Sequence, residues 1–472
     1  MTVDMAREDT LGRFALAVVL TGAFVAMMDT FVVNVAVPSI RADLGANEAE
    51  AELVVAGYTL TYAVGLIMGG RLGDAYGRRR MFLLGMAGFT GSSLACGLAP
   101  TPGALVAGRL VQGAAAAVLS PQVLAVIRVT FAEGARRARA FAAFGVAVGL
   151  ASVLGQILGA AVVAADLFGL AWRPIFLLNV PLGVAVLLAC PLVVRESRAA
   201  GSAGGPPRLD WSGAALGTTG LGLLLLPLVA GRQSGWPPWS LGMLAGSAVV
   251  LAIFVRQQAG KTAAGVSPLL DTRLLADPAF RLGAVVMLLF SATMPPLYLG
   301  YTMLLQTGFG AGALAAGLYF APLALAFSLV SFVAGRVRRV SAGAMLVAGA
   351  VLHTLAGVLA ALVCLAAPGW LPGGLLPAMI LFGLGEGLFF TPILNVILSA
   401  VAERHAGVAA GVLSTMQRLG NSLGVAVLMA PFLAGGFAAL AGCVAGLSLA
   451  AALLLGPLNR RYRAASSSMQ SA

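Results

Sequence analysis

The sequence predicts an all-α integral membrane protein of fourteen transmembrane helices, built as two related six-helix bundles plus an inserted pair. Three observations predict this. Of 472 residues, 60% are hydrophobic and 10% are charged, where a soluble protein carries roughly 25% charged residues. The apolar residues fall in runs long enough to cross a bilayer, which takes about 20 residues of helix. Two segments also recur at one spacing. Gly155-Gln156-Ile157-Leu158-Gly159-Ala160-Ala161 matches Gly420-Asn421-Ser422-Leu423-Gly424-Val425-Ala426, and Gly70-Arg71-Leu72 matches Gly335-Arg336-Val337 at the same offset.

The fourteen stretches run roughly over 13–37, 51–71, 81–99, 103–128, 139–164, 173–194, 211–231, 239–257, 281–305, 312–334, 342–367, 373–399, 406–432 and 436–457. The basic residues test the count. With a cytoplasmic N-terminus, 24 of the 29 Lys and Arg residues fall in inner segments. Only Arg41, Arg173 and Arg232 fall outside, while Arg109 and Arg418 lie within helices. Such a bias orients the chain with both termini cytoplasmic. The repeat pairs each stretch with the eighth one after it. Residues 1–199 are then an N-terminal six-helix half and 263–472 its C-terminal counterpart. Residues 200–262 hold the inserted pair and its linkers, entered through the Gly/Pro-rich run 199–207.

The same arrangement limits the partners. A net charge of +12 could mean nucleic acid, but the cations are dispersed between apolar runs, as topology requires. Cys96, Cys190, Cys364 and Cys443 all sit inside apolar runs without metal-ligand spacing. The first run is too long for a cleavable signal and contains Asp29 and Asn34.

Along the chain, the first chemical feature is Asp29, in the middle of the first stretch. An ionised carboxylate there costs several kcal/mol unless it faces a polar cavity, pairs with a cation or takes a proton. Thr30 and Asn34 share a helical face that Asp29 flanks, and Pro38 marks the outer end. The alternative is a structural carboxylate satisfied by neighbouring hydroxyls. Next comes Gly69-Gly70-Arg71-Leu72-Gly73-Asp74-Ala75-Tyr76-Gly77-Arg78-Arg79-Arg80. Its glycines allow close helix approach. Asp74, acidic in a basic loop, suits arginines and a helix N-terminus, as a cytoplasmic latch between the halves. The arginines also set topology.

In the fourth stretch Arg109, Gln112 and Gly113 share one face. The guanidinium needs a carboxylate, a carbonyl or water, or it snorkels to the outer surface. In the fifth, Gly145, Gly149, Ser152, Gln156 and Gly159 form one small-residue stripe suited to tight packing. The twelfth carries Glu386 beside Phe382, Phe389, Phe390 and Ile393. A carboxylate among phenyl rings suits a lipophilic cation. It also suits a second proton site, or a structural pair with Arg418, since nothing near it in the chain satisfies its charge. His353 reads as a hydrogen-bonded helix-packing histidine.

These motifs, with Trp172-Arg173 through Phe176 to Asn179-Val180-Pro181, extend over nearly the whole chain. Together they resemble the fourteen-helix drug:proton antiporter family of the major facilitator superfamily. The resemblance implies the major facilitator fold, with parallel repeats and substrate held between the halves. It implies proton coupling through Asp29 and Arg109, with Glu386 as a further candidate. It implies gating by Gly70, Arg71, Asp74, Gly77, Arg78 and Arg79, and by Gly155 and Gly159 in the fifth stretch. The family usually has proline where this chain has Gln156, so a bend there is not implied. Asn34, Gln156, Glu386, Phe389 and Phe390 are the candidate substrate contacts.

The expected function is proton-driven export of lipophilic, cationic or amphiphilic small molecules by a monomer in the cell membrane, with no cofactor beyond the proton gradient. Gly260-Lys261-Thr262 mimics a phosphate-binding loop but lacks the upstream glycine and strand. No nucleophile–base cluster or metal set accompanies the two histidines, so an enzyme is not expected. The alternatives are a dedicated exporter or importer of one metabolite, and a non-transporting membrane sensor.

Overall fold

The structure, a computed structural model, describes residues 2–131, 134–198, 210–231, 235–266, 268–270, 272–311, 313–334, 340–399, 401 and 406–470. Every regular element among them is helical. In order they are α1 (Thr2–Leu44), α2 (Glu48–Tyr76), α3 (Arg78–Gly97), α4 (Pro102–Thr130) and α5 (Ala135–Ala165). Then come α6 (Pro174–Leu177), α7 (Asn179–Val193), α8 (Trp211–Leu226), α9 (Pro238–Ala263) and α10 (Thr272–Ala276). The rest are α11 (Pro278–Ser291), α12 (Met294–Met303), α13 (Ala313–Leu318), α14 (Ala321–Ala334), α15 (Ala342–Ala366), α16 (Leu376–Ser399) and α17 (Ala406–Gln470). Each of the fourteen expected stretches falls on helix. Among the described residues, nine helices are long and apolar enough to cross a membrane.

The ends follow local chemistry. Asn47 and Glu50 form a reciprocal capping box at the start of α2. Thr101 accepts from the Ala104 amide ahead of Pro102 in α4, and Ser341 does the same for α15 through Ala344. Asp277 caps α11 ahead of Pro278. One boundary differs from expectation. Pro38 does not end α1, which continues to Leu44; a helix absorbs one proline when its neighbours hold it, at the loss of one backbone hydrogen bond. The last two stretches, together α17, are two helical segments that meet at a break at Gly435 and Gly436, close to the expected boundary, where Gly436 has φ +69°.

The chain divides into two compact units. The first comprises Met1–Glu133, Ala151–Thr272 and Ala402–Thr415; the second comprises Gly134–Leu150, Arg273–Val401 and Met416–Ala472. The first has an apolar core that includes Val33, Ile40, Val54, Leu105, Trp172 and Phe176. Its α2 and α4 approach so closely that a Cβ on Gly69 would lie 2.0 Å from the Ala117 carbonyl oxygen. The core of the second includes Leu297, Tyr301, Phe320, Phe382, Leu440 and Val444.

The inserted helices α8 and α9 are clasped at one end by Asp210. Its carboxylate accepts from Gly213 N at 2.7 Å, Ser212 Oγ at 3.0 Å and Gln258 Nε2 at 2.7 Å. It also accepts from Lys261 Nζ and from Leu269 N at 3.2 Å. Burial alone would raise this carboxyl. The bonds from Lys261, Gln258, Gly213 and Ser212 outweigh burial and hold it well below the usual carboxylate range. Lys261, the lysine of the false phosphate loop, is thereby engaged as a counter-ion.

Candidate functional site

Three buried acids organise the polar chemistry inside these apolar helices. The first is Asp29 on α1, fully buried. Arg109 on α4 donates through Nη1 to Asp29 Oδ2. Gln112 Nε2 and Asn179 Nδ2 both donate to Asp29 Oδ1, each at 3.0 Å. The same two amides also donate to Ser93 Oγ, at 3.1 and 3.0 Å, and Ser93 donates to the Phe176 carbonyl. Arg109 makes further bonds, Nη1 to Gln112 Oε1 at 2.7 Å and Nε to the Val54 carbonyl at 2.9 Å. Its guanidinium lies 4.4 Å from the Tyr58 ring centroid, a cation–π contact.

So Arg109 does not snorkel: it is buried in an ion pair. Gly155 and Gly159 on α5 sit directly against α1 beside this cluster. A Cβ on either would lie 2.8 Å from a backbone oxygen, that of Met28 or that of Val32. The backbones of Asn34 and Gln156 are helical, but their side chains lie outside the described residues.

The second acid is Asp74, near the end of α2. It accepts from Arg78 Nη2 at 3.3 Å and from the Val408 amide, in the first turn of α17, at 3.2 Å. Both Asp74 and Arg78 are buried. Gly77 joins α2 to α3 with φ +108°, a conformation that favours glycine. Beneath it sits Glu196, which accepts from the Arg79 and Arg80 amides at 3.1 and 3.2 Å and so caps α3. Arg79 Nη1 donates to the Val194 carbonyl. Gly70 and Arg71 lie in the last turns of α2.

The third acid is Glu386 on α16. Tyr298 on α12 donates to Glu386 Oε2 at 2.7 Å. His353 on α15 places Nε2 3.6 Å from Glu386 Oε1, and its Nδ1 lies 2.8 Å from Ser448 Oγ. His353 is a histidine hydrogen-bonded between helices, as expected, and Glu386, with little beside it along its own helix, meets Tyr298 and His353 instead. Their partners come from other helices, which spacing along one helix does not reveal. Aromatic rings enclose the group. Phe389 stacks on Phe290 at 3.7 Å, Phe390 meets both edge-on at 5.6 Å, and Phe382 meets His353 at 4.8 Å.

The residues that the sequence did not single out are Ser93, Glu196, Tyr298 and Ser448. Asn179 stood in a motif without a role. A faint signal existed for Glu196, an acid in the basic run Arg195 to Arg198.

The arrangement holds carboxylates inside apolar helices, two of them against arginines. That is equipment for binding and moving ions rather than for bond chemistry. Comparisons with known proteins agree. The chain is 38% identical over 416 residues to the probable actinorhodin transporter of Streptomyces coelicolor, covering 88% of this chain and 71% of that one. It is 37% identical over 418 residues to the cephamycin export protein CmcT of Amycolatopsis lactamdurans, covering 88% and 84%. It is 33% identical over 413 residues to the multidrug resistance protein Stp of Mycobacterium tuberculosis, covering 86% and 73%. Among solved structures, the human organic anion transporter MFSD10 (TETRAN) superposes with a TM-score of 0.67 at 18% identity, covering 94% of this chain and 99% of that one. The model of the Major Facilitator Superfamily matches residues 19–425. The chain is therefore a multi-pass membrane protein that belongs to the major facilitator superfamily of transporters.

Proposed function

We propose that the chain exports lipophilic small molecules of antibiotic type, cationic or amphiphilic, in exchange for protons. The observation that carries this reading is Asp29, a carboxylate buried in a membrane helix against Arg109, Gln112 and Asn179. Acids inside membrane helices mark ion pathways and proton relays. The relatives' names support the export direction, since they describe antibiotic transport, export and resistance over nearly the same length of chain.

In this reading residues 1–199 and 263–472 are the two working halves and 200–262 the inserted pair. Both termini face the cytoplasm. An outside proton neutralises Asp29 and drug leaves; the carrier turns inward, the proton leaves, and drug binds again. Glu386, Phe389 and Phe390 serve substrate, with Asn34 and Gln156 as further contacts. The motif from Gly70 to Arg79 gates, as do Gly155 and Gly159. Asp29→Asn should abolish uphill export in energised vesicles while leaving drug binding measurable, because an amide cannot titrate. Proton-driven accumulation at the wild-type rate in that variant would overturn the mechanism.

A dedicated exporter of one natural product is the second reading. It is favoured by relatives named for a single antibiotic, actinorhodin or cephamycin. Resistance profiling of a pump-deficient host separates the two: a broad profile supports a multidrug pump, and protection against a single compound class supports the dedicated exporter.

A further inference from the structure

We infer that His353 and Glu386 together bind one exchangeable proton, held between His353 Nε2 and Glu386 Oε1, and that Ser448 selects the histidine tautomer that requires it. The inference deepens the export reading by placing a proton site in the second compact unit.

The argument begins at Ser448. Its hydroxyl donates to the Val444 carbonyl, one turn back on α17, at 2.8 Å. That commits its single proton. Its oxygen, 2.8 Å from His353 Nδ1, can then only accept, so Nδ1 carries a hydrogen. A neutral imidazole protonated at Nδ1 has a bare lone pair at Nε2. That lone pair points at Glu386 Oε1, 3.6 Å away. Both atoms are buried, and neither has a hydrogen-bond partner among the described residues. Two acceptors facing each other in an apolar interior repel. One added proton turns the contact into an attraction, either as imidazolium against carboxylate or as neutral imidazole against carboxylic acid. Both forms leave the pair with no net charge, the state an apolar surround favours. Loading takes one proton from water and release returns it.

The surrounding groups do not supply this proton. From α12, Tyr298 already donates to the other oxygen, Glu386 Oε2. From α11 comes the Phe290 ring and from α16 itself the Phe382 ring, each 4.8 Å from the imidazole centroid. Helix α14, which packs on α16, carries no titratable residue in 321–334. On α17, Ser448 lies beyond the Gly435–Gly436 break, whereas the buried cation Arg418 lies before it.

The chain has only two histidines, so histidine-selective ¹⁵N NMR reads the site directly. The sample is the full chain carrying His405→Asn, in lipid nanodiscs. We expect Nδ1 of His353 to stay protonated from mildly acid to mildly alkaline pH, while the Nε2 side titrates. In Glu386→Gln the amide donates to Nε2, and that titration should vanish. A neutral His353 protonated on Nε2, or a titration unchanged in Glu386→Gln, would overturn the inference. The first of these is read on a chain with the site intact and needs no variant within it. Export assays on the same protein separate the two readings. Normal titration without export keeps the proton site and removes the export proposal; export without titration does the reverse.

Discussion

Asp29 and Glu386 are both carboxylates buried in membrane helices, yet their surroundings solve the same problem differently. Asp29 faces a guanidinium that does not deprotonate, and two amides occupy its other oxygen. Glu386 has one phenolic donor and one imidazole nitrogen that fits only when a proton lies between them. The first acid is held by an arginine and two amides, the second by a phenol and an imidazole. The same group, buried twice in one protein, is satisfied by different partners.

The largest test removes the permanent charge. Arg109→Met strands Asp29 in an apolar interior, and breaking such a pair costs about 3–5 kcal/mol. Thermal unfolding in detergent should show that loss, and the double variant with Asp29→Asn should recover much of it. A cost of the single variant below about 1 kcal/mol would mean that the pair does not set Asp29 apart. Next is Tyr298→Phe, which deletes one hydrogen bond to a charged acceptor, about 1.5–3 kcal/mol. If its unfolding matches wild type, Glu386 has a further donor and the contrast weakens.

Asp74 lies between these cases, with one arginine and one backbone amide. Asp74→Asn leaves the buried Arg78 guanidinium against a neutral amide and should cost about 1.5–3 kcal/mol, slowing turnover and leaving substrate Kd unchanged. A weakened Kd with normal turnover would place Asp74 at the ligand rather than at a latch.

The smallest effect is expected at Asp210, outside the membrane segments. Its carboxyl lies below the ordinary value near 4, so the stability it contributes is fully present above that value. It is lost as pH falls toward the depressed folded value. Asp210→Asn should therefore lower stability at neutral pH and flatten the acid limb of the stability profile. An unchanged acid limb would show that Lys261 and Gln258 contribute nothing through it.

The fold was legible because a bilayer admits few structures. Backbone groups without water must be satisfied within the segment, so long apolar runs become helices. The glycine stripes were legible as packing surfaces for the same reason. Parts of the sites were legible too. Asp29 stands out by charge, and Arg109 with Gln112 by one-turn spacing. What spacing along one helix does not contain is convergence between helices. Asn179 reaches Asp29 from α7, and Tyr298, His353 and Ser448 reach the Glu386 site from three separate helices. A histidine amid alanine and leucine reads as packing until its neighbours are known.

Glu196 also bears on the order in which the chain is made. The amides it caps belong to Arg79 and Arg80, far upstream, and the Arg78 amide donates to the Ser197 carbonyl beside it. As the chain emerges from the ribosome, α3 exists long before its cap does. Only after α7 has been synthesised can this turn close, so the segment following α7 acts as a late stitch on an early loop. A nascent chain arrested before Glu196 is expected to leave the Gly77 turn open to protease, and one extended past Ser197 to protect it.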